Sequence, residues 1–241
     1  MKFEREAYAH CDLIVFGSKW AADSAIHQYG VSPDKVRSIA FGANLDKVPD
    51  RERVLENRRR EQSTCELLFL GVDWERKGGE LAISVVETLN RLGLKARLTV
   101  CGIVPASVSP YIRVVPFLNK HEAKDQARLS QLLDEATFLF LPTRGDCSPI
   151  VFCEAFAHGL PVVTCAVGGV PEIVTDGVNG IVRDRSTPAD EFADIIAGLF
   201  RDTCTYAQFC EAARGAYDQT FNWGRWASEV HTLSNSVLMQ R

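Results

Sequence analysis

Two carboxylates and a pair of glycines lie close together in residues 144–177, RGDCSPIVFCEAFAHGLPVVTCAVGGVPEIVTDG. Asp146 precedes an almost wholly apolar helical pattern, and Glu154 lies in its middle. A buried carboxylate is costly unless it is hydrogen-bonded, so Glu154 needs a donor. A structural arginine or a backbone amide is one candidate. The two hydroxyls of a ribose are the other, because a carboxylate accepts from both at once.

Asp146 has the same two interpretations. A loop aspartate is by default a turn former or a partner of the helix dipole, and its functional interpretation is as an acceptor for sugar hydroxyls. Ser148 is predicted to cap the apolar helix, with Pro149 at its first position.

Two further loops carry groups that suit an anion. Gly168 and Gly169 let backbone amides approach a ligand closely, and the Pro-Glu pair that follows indicates a helix start, which favours negative charge. Arg76 and Lys77 precede another helix start and can meet a phosphate. Each signal has a plain alternative, a simple turn or a solvated basic pair. Together they suggest a phosphorylated sugar or a nucleotide.

The elements that must position these loops alternate along the chain. Uninterrupted apolar runs such as ELLFLGV, ARLTVCG, TFLFLPT and LPVVTCA are separated by helical patterns. Such runs are typical of strands buried on both faces. The predicted fold class is α/β, a Rossmann-like parallel sheet with helices on both faces. Ligands bind beyond the carboxyl ends of such strands, so the loops after Leu70, Leu141 and Cys165 matter most.

Local signals add further expectations. The opening run DLIVFGS is predicted to be a buried strand, and KVRSIAFG a second strand. The mixed-charge run RERVLENRRREQ is predicted to be a solvated linker or an exposed helix. Asn119 with Glu122 has capping-box spacing, and Thr187 with Pro188 predicts another helix start. The last helical pattern carries one apolar stripe, Trp226, Val230, Leu233 and Val237.

Composition narrows the class of protein. The chain has 241 residues, a formal net charge of -4 and 46% hydrophobic residues, a balance that offers no electrostatic footprint for nucleic acid. Its 8 cysteines form no C-x-x-C pair and no zinc spacing. The charged opening MKFEREAYAHCDL lacks the apolar region of a signal peptide, and no run is long enough to span a membrane. These features predict a reduced, cytoplasmic protein without a metal ion.

The segment from Asp146 onwards resembles a known family. Two acids with seven residues between them, then EA-A-G-PVV, then GG-PE-V-DG-NG, mark the donor-binding segment of retaining GT-B glycosyltransferases of family 4, also called group 1. FLGVDWERKGGELAI resembles the phosphate-contacting strand, loop and helix of that family, and residues 9–46 resemble its interdomain crossover. The resemblance therefore implies the C-terminal half of a GT-B fold, with a nucleotide-diphosphate sugar as substrate and no cofactor.

The resemblance also implies a role for each residue. Glu154 would hold the ribose, and Asp146, the catalytic candidate, would hold hydroxyls of the transferred sugar. Lys77 would contact the diphosphate together with Arg76. The backbone at Phe117 and Leu118 would meet the base, and the amides of Gly168 and Gly169 would lie near the sugar and the phosphates. The implied donor-binding residues are Arg76, Lys77, Phe117, Leu118, Asp146, Ser148, Glu154, Gly168 and Gly169.

The sequence departs from the family in three ways. The first acid is usually Glu, whereas Asp146 is shorter, and many relatives carry Arg after the glycine of the phosphate loop, where this chain has Val72. A full enzyme also has another Rossmann-like domain, which bears the acceptor site. The predicted division is a remnant of that domain with the crossover in 1–48, the nucleotide-sugar domain in 49–222 and a crossover helix in 223–241.

Three functions remain open on these grounds. The chain is the nucleotide-sugar half of a glycosyltransferase, inactive by itself and completed by a separate N-terminal acceptor domain or by a homo-oligomer. Alternatively, it is a module that binds a nucleotide sugar and transfers nothing. The third is an interaction protein that has lost the ligand, which the presence of Lys77, Asp146 and Glu154 speaks against.

Overall fold

The computed structural model describes residues 2–105 and 109–239. Residue 1 of the predicted segment 1–48 and residues 240 and 241 of the predicted segment 223–241 lie outside the described residues. The helices are α1 Lys2–Ala9, α2 Lys19–Tyr29, α3 Arg51–Arg58, α4 Gly79–Arg91, α5 Ala123–Glu135, α6 Ile150–Ala157, α7 Ala189–Arg201, α8 Thr203–Gln219 and α9 Trp223–Leu238. The strands are β1 Ile14–Phe16, β2 Val36–Ser38, β3 Cys65–Leu70, β4 Ala96–Cys101, β5 Ile112–Val115, β6 Phe138–Leu141, β7 Val162–Cys165 and β8 Gly180–Arg183.

A six-stranded parallel sheet forms the centre of the molecule, in the order β5-β4-β3-β6-β7-β8. The chain runs outwards from β3 to β5 and then returns to place β6 beside β3. Because crossovers between parallel strands are right-handed, this reversal puts α4 and α6 on opposite faces. Accordingly, α4 packs against α7 and α6 packs against α8. The predicted α/β class is confirmed.

The reversal of strand order between β3 and β6 locates the site. In open parallel sheets, ligands bind at the carboxyl ends of the strands where the order reverses, because the two flanking loops diverge there and leave a crevice. The loop after β3 carries Lys77, and the loop after β6 carries Asp146. Two of the three loops chosen from the sequence are therefore neighbours, and the third follows the adjacent strand β7.

The mixed-charge run is a docked helix rather than a solvated segment. Within α3, Val54, Leu55 and Arg58 are buried, and Arg58 is only 3% exposed. Its guanidinium donates to the carbonyls of His158, at 3.0 Å, Leu133, at 2.5 Å, and Ala136. The expectation was wrong because one charged side chain satisfies backbone carbonyls at the ends of α5 and α6, a partnership that composition does not reveal.

Two predicted helix caps are wrong. The oxygen Asn119 Oδ1 accepts from the backbone of His121, so Asn119 forms a local turn, and α5 begins only at Ala123 without a side-chain cap. Ser148 donates to the carbonyl of Gly17 at 3.3 Å instead of capping α6. The helix start predicted at Thr187 and Pro188 is confirmed, because Pro188 is the N-cap of α7. Short polar side chains bond any near backbone group, and tertiary contacts decide which.

A second, two-stranded sheet pairs β1 with β2 in parallel. The predicted strand KVRSIAFG is shorter than expected, ending at Ser38, and β1 is half-buried rather than buried. Within residues 2–105 and 109–239, no further strand pairs with β1. One edge of β1 is therefore unpaired by any described strand. The two strands pack against residues of α1 and α2, among them Tyr8 and Ala25.

The last helix is the least covered. None of the described side chains of α9 is fully buried, and its apolar stripe, Trp226, Val230, Leu233 and Val237, is half-exposed. The apolar stripe predicted from the sequence is therefore only partly covered. Trp223 lies at the start of the helix, where its ring stacks on Phe41 with centroids 5.9 Å apart. In the described part of the chain, no helix is long and apolar enough to cross a membrane.

The Arg58 contacts give the first testable prediction. Replacing Arg58 by Met leaves three buried carbonyls without a donor, and each costs about 1–3 kcal/mol. We expect the free energy of unfolding, measured in urea, to fall by about 3–5 kcal/mol. The control is Arg59→Met, since Arg59 is the exposed neighbour. Equal losses in the two variants would show that Arg58 does not hold α3 in place.

Candidate functional site

The loop between β3 and α4 places Lys77 beside the end of β6. Gly78 makes this possible, because it has a φ of 80° and caps α4 in the left-handed region. A Cβ at Gly78 would lie 2.1 Å from the carbonyl oxygen of Pro142. Only glycine therefore lets the loop approach β6 so closely. The Lys77 side chain is buried against β6 as a result.

A Lys77–Asp146 ion pair joins the two loops. The ammonium nitrogen of Lys77 lies 3.0 and 2.9 Å from the two carboxylate oxygens of Asp146. The hydroxyl of Thr143 donates to the same carboxylate at 2.7 Å. Both charged side chains are mostly buried. Asp146 is thus a fully engaged acceptor at the sheet edge, and not an exposed turn former.

Arg76, which the sequence assigned to a phosphate, belongs to the same cluster and is already paired with carboxylates. Its guanidinium donates to Asp146 at 3.2 Å and, through Nε, to Asp73 at 3.0 Å. The Arg76 backbone and side chain, in that order, lower the pKa of Asp73 as hydrogen-bond donors. Two carboxylates therefore already balance Arg76. Val72, which follows the glycine of the same loop, is exposed.

The glycine pair packs tightly against the Asp146 loop. A Cβ at Gly168 would lie 2.1 Å from the Asp146 carbonyl, and one at Gly169 would lie 2.0 Å from the Cys147 carbonyl. The Gly169 amide donates to the Asp146 carbonyl at 3.2 Å. The glycines therefore fix the backbone next to Asp146, and any side chain here would push the two loops apart.

The expected helix after the glycines is wrong. Residues Val170–Glu172 form a single 3₁₀ turn, too short to supply a helix dipole. The Glu172 carboxylate instead accepts from the backbone amides of Lys19 and Trp20, at 2.5 and 2.8 Å. It therefore caps the N-terminus of α2. With the Ser148 bond to Gly17, this contact fastens the β1–α2 segment to the site.

Glu154 is buried within α6, at 1% exposure of its side chain. Its carboxylate pairs with the ammonium of Lys120 and accepts from the backbone of Asn44. Burial raises the pKa of Glu154, and Lys120 and the Asn44 amide oppose that rise. The sequence left the partner open between an arginine, an amide and a ligand. It is a lysine and an amide.

Each of the two acids, Glu154 and Asp146, lines a cavity of its own. One, of about 230 Å³, is lined by Glu154 and Lys120 together with Phe117 and Leu118. The other, of about 400 Å³, is lined by Asp146, Arg76 and Gly168. The structure thus brings six of the nine predicted donor-binding residues to these two cavities, and Gly169 lies next to the second one, against the Cys147 carbonyl. Lys77 lies between the loops through its bond to Asp146, and Ser148 is turned towards Gly17.

Sequence reasoning missed two site residues, Lys120 and Thr143. Lys120 lies 34 positions before Glu154, in the loop that leads into α5, and no local pattern links the two. Thr143 is only three positions before Asp146, so the threonine after the β6 strand could have been noted as a donor. In residues 2–105 and 109–239, no group of three metal-binding side chains is placed to hold an ion.

Solved structures share this fold. Sucrose-phosphate synthase from Thermosynechococcus elongatus matches with a TM-score of 0.75 at 19% identity, covering 99% of this chain and 61% of that one. HepE from Anabaena, solved in complex with UDP and glucose, matches with a TM-score of 0.73 at 18% identity, covering 95% and 65%. The fold is that of one half of a GT-B glycosyltransferase.

Sequence comparison gives the family. The profile described as Glycosyl transferases group 1 matches residues 64–202, more than half of the chain. The chain therefore belongs to that family. It is 27% identical to the D-inositol 3-phosphate glycosyltransferase of Corynebacterium aurimucosum, with 95% of this chain and 58% of the relative covered. The protein of that name from Corynebacterium diphtheriae is 28% identical, with 98% and 58% covered. The chain thus spans little more than half the length of these relatives.

The burial of Glu154 predicts a pH-dependent gain in stability when its charge is removed. A carboxyl group whose folded-state pKa is raised destabilises the fold when ionised. We expect Glu154→Gln to raise the free energy of unfolding of the empty protein at neutral pH, measured in urea. The gain should be lost as the pH falls through the raised pKa towards 4.5, the ordinary value, because the parent then takes up the proton.

The matched control is Glu75→Gln, since Glu75 is exposed at the loop before α4. That variant should show no such pH-dependent gain. A Glu154→Gln variant that is less stable than the parent at neutral pH would mean that the ionised pair with Lys120 stabilises the empty fold.

Proposed function

We propose that this chain binds a nucleotide-diphosphate sugar and is the donor-binding half of a glycosyltransferase. The observation that carries the proposal is the placement of Glu154 and the Lys77–Asp146 pair around the reversal point of the sheet, within a family that transfers sugars. Carboxylates at this edge accept from sugar hydroxyls, and a cation suits the diphosphate between them. HepE, solved with UDP-glucose, is a structural neighbour.

Each cavity receives one part of the ligand in this proposal. The ribose lies at Glu154, with the base against the backbone at Phe117 and Leu118. The transferred sugar lies in the cavity of Asp146, where Gly168 and Gly169 bring backbone close. The diphosphate lies between them, at Lys77. No metal ion or cofactor takes part.

Binding at Lys77 is an exchange of partners. In the empty protein the ammonium is shared by both oxygens of Asp146. A diphosphate brings competing negative charge to Lys77, which leaves lone pairs of Asp146 free to accept from sugar hydroxyls. Transfer breaks the bond between the anomeric carbon and a diphosphate oxygen and forms one to the acceptor oxygen, while the proton of the acceptor hydroxyl passes to the departing diphosphate. Lys77 then stabilises the charge on the departing diphosphate.

The acceptor half is proposed to come from outside these 241 residues. The relatives that the chain matches are nearly twice as long, and positioning an acceptor supplies a large part of the rate. The open edge of β1 and the half-bare stripe of α9 suit such a partner. A homo-oligomer is the other way to cover these surfaces. We place the protein in the cytoplasm, which the eight free cysteines support.

A second candidate function is a module that binds a nucleotide sugar without transferring it. The observation that favours it is that both acids of the site are already paired with lysines in the empty protein. Both candidates require that the chain binds a nucleotide sugar, and calorimetry against uridine, guanosine and adenosine diphosphate sugars tests this binding. Glu154→Ala should weaken the nucleoside diphosphate by about 1.5–3 kcal/mol while the empty fold persists. If no member of the panel binds the parent chain, both candidates fail.

The two acids should act on different parts of the ligand. Asp146→Asn should leave the affinity for the bare nucleoside diphosphate undiminished, because Lys77 is freed from its ion pair. The same change should abolish the additional affinity that the sugar confers, measured by calorimetry with and without the sugar. Asp34→Asn, in an exposed turn far along the chain, is the control. Equal losses for both ligands would place Asp146 away from the sugar.

The isolated chain should bind a nucleotide sugar without transferring it. We expect heat on binding but no product when D-inositol 3-phosphate, the compound in the relatives' name, is offered as acceptor. Sedimentation should show self-association, because β1 has an open edge and the α9 stripe is half-exposed. A monomer that transfers sugar by itself would disprove the proposal that another half is required.

A further inference from the structure

Lys120 occupies the wall between the Glu154 cavity and a larger one. The larger cavity, of about 690 Å³, is lined by Asp46, Lys47, His121 and Trp223, among others, and Lys120 lines both. The Lys120 side chain is 46% exposed, whereas its partner Glu154 is 1% exposed. The contact is therefore not a surface ion pair between two solvated groups. One charge is held inside the protein, and the other reaches in from solvent.

The backbone of Lys120 is anchored without its ammonium. Its carbonyl accepts from the Gln126 side-chain amide at 2.6 Å, and the same amide donates to Asp46 at 2.6 Å. The loop that leads into α5 is thus tied to α5 and to the segment after β2. The ammonium is therefore available to Glu154, whose carboxylate it contacts.

The partners of Glu154 leave room for a diol. A carboxylate offers about four acceptor positions, and Lys120 and the Asn44 amide take two of them. Two neighbouring hydroxyls match the remaining two. Hydroxyls are neutral, however, and do not balance a buried negative charge. Lys120 is the cation that contacts this carboxylate, and a diol that binds beside it leaves that pairing in place.

We infer that Lys120 is a positioning residue of the ribose subsite, which holds the Glu154 carboxylate ionised and thereby gives ribonucleotides preference over 2′-deoxyribonucleotides. The inference rests on the proposed function. Without Lys120, the buried carboxyl takes up a proton, and its O–H becomes a donor. The site then loses an acceptor for the ribose hydroxyls, and the 2′-hydroxyl contributes less.

The experiment measures the ratio of dissociation constants for each deoxy and ribo pair. The probes are UDP and 2′-deoxy-UDP, GDP and 2′-deoxy-GDP, and ADP and 2′-deoxy-ADP, in calorimetry at neutral pH. For the base that binds, the parent should prefer the ribonucleotide at least about tenfold, the scale of one hydrogen bond to a charged group. Lys120→Met should reduce the preference to about threefold or less. Lys120→Arg should restore it.

Lys124→Met is the matched control. Lys124 is an exposed lysine four residues further on, so its replacement removes the same charge. It should keep the parental ratio. Thermal unfolding of every variant checks the fold, and Lys120→Gln replaces Lys120→Met in the ratio measurement if the latter is unfolded. A purely structural lysine would lower the melting temperature and leave the ratio unchanged.

The outcomes separate the inference from the function on which it rests. If the parent binds none of the six nucleotides, the proposed function fails, and the inference with it. If the parent binds and prefers ribonucleotides but Lys120→Met keeps that preference, only the inference is overturned. A parent that binds both members of a pair equally also overturns the inference alone. A lowered ratio in Lys120→Met that Lys120→Arg restores supports it.

Discussion

The ion pair between Lys77 and Asp146 is the contact on which the arrangement of the site depends. It joins the loop after β3 to the loop after β6, the two strands between which the sheet order reverses. Gly78 allows the close approach, because a side chain there would strike the Pro142 carbonyl. A crevice formed by divergent loops is thereby closed at one point by opposite charges. The cavities of Asp146 and Glu154 are arranged around that point.

The second acid repeats the arrangement in a different form. The Glu154 side chain is almost inaccessible to solvent, whereas the Lys120 side chain that contacts it is half-exposed. Both acids of the empty site are therefore already neutralised by lysines. A neutral sugar hydroxyl cannot replace a cation, whereas a diphosphate can replace a carboxylate as the partner of a lysine. The proposed ligand, a nucleotide-diphosphate sugar, presents both kinds of group.

Much of this architecture is determined by local sequence. Continuous apolar runs predicted the buried parallel strands, because strands covered on both faces have no polar side. The site loops were identified for a similar reason, since the carboxyl ends of such strands share one edge. Asp146, Glu154 and the glycine pair stood out as acids and bare backbone among apolar residues. Gly30 and Gly159 lie in the left-handed region at the C-terminal ends of α2 and α6, a position that glycine favours.

The partners of those residues were decided only by the tertiary structure. Lys120 meets Glu154, and Glu172 meets the start of α2 across more than 150 positions. A charged or hydroxyl side chain bonds whichever backbone or charge the fold brings near it, so spacing alone cannot choose. The same reason explains why Ser148 donates to the Gly17 carbonyl instead of capping α6, and why Arg58 is buried. Sequence determined which residues are unusual in their surroundings, and the packing of distant elements determined what each one contacts.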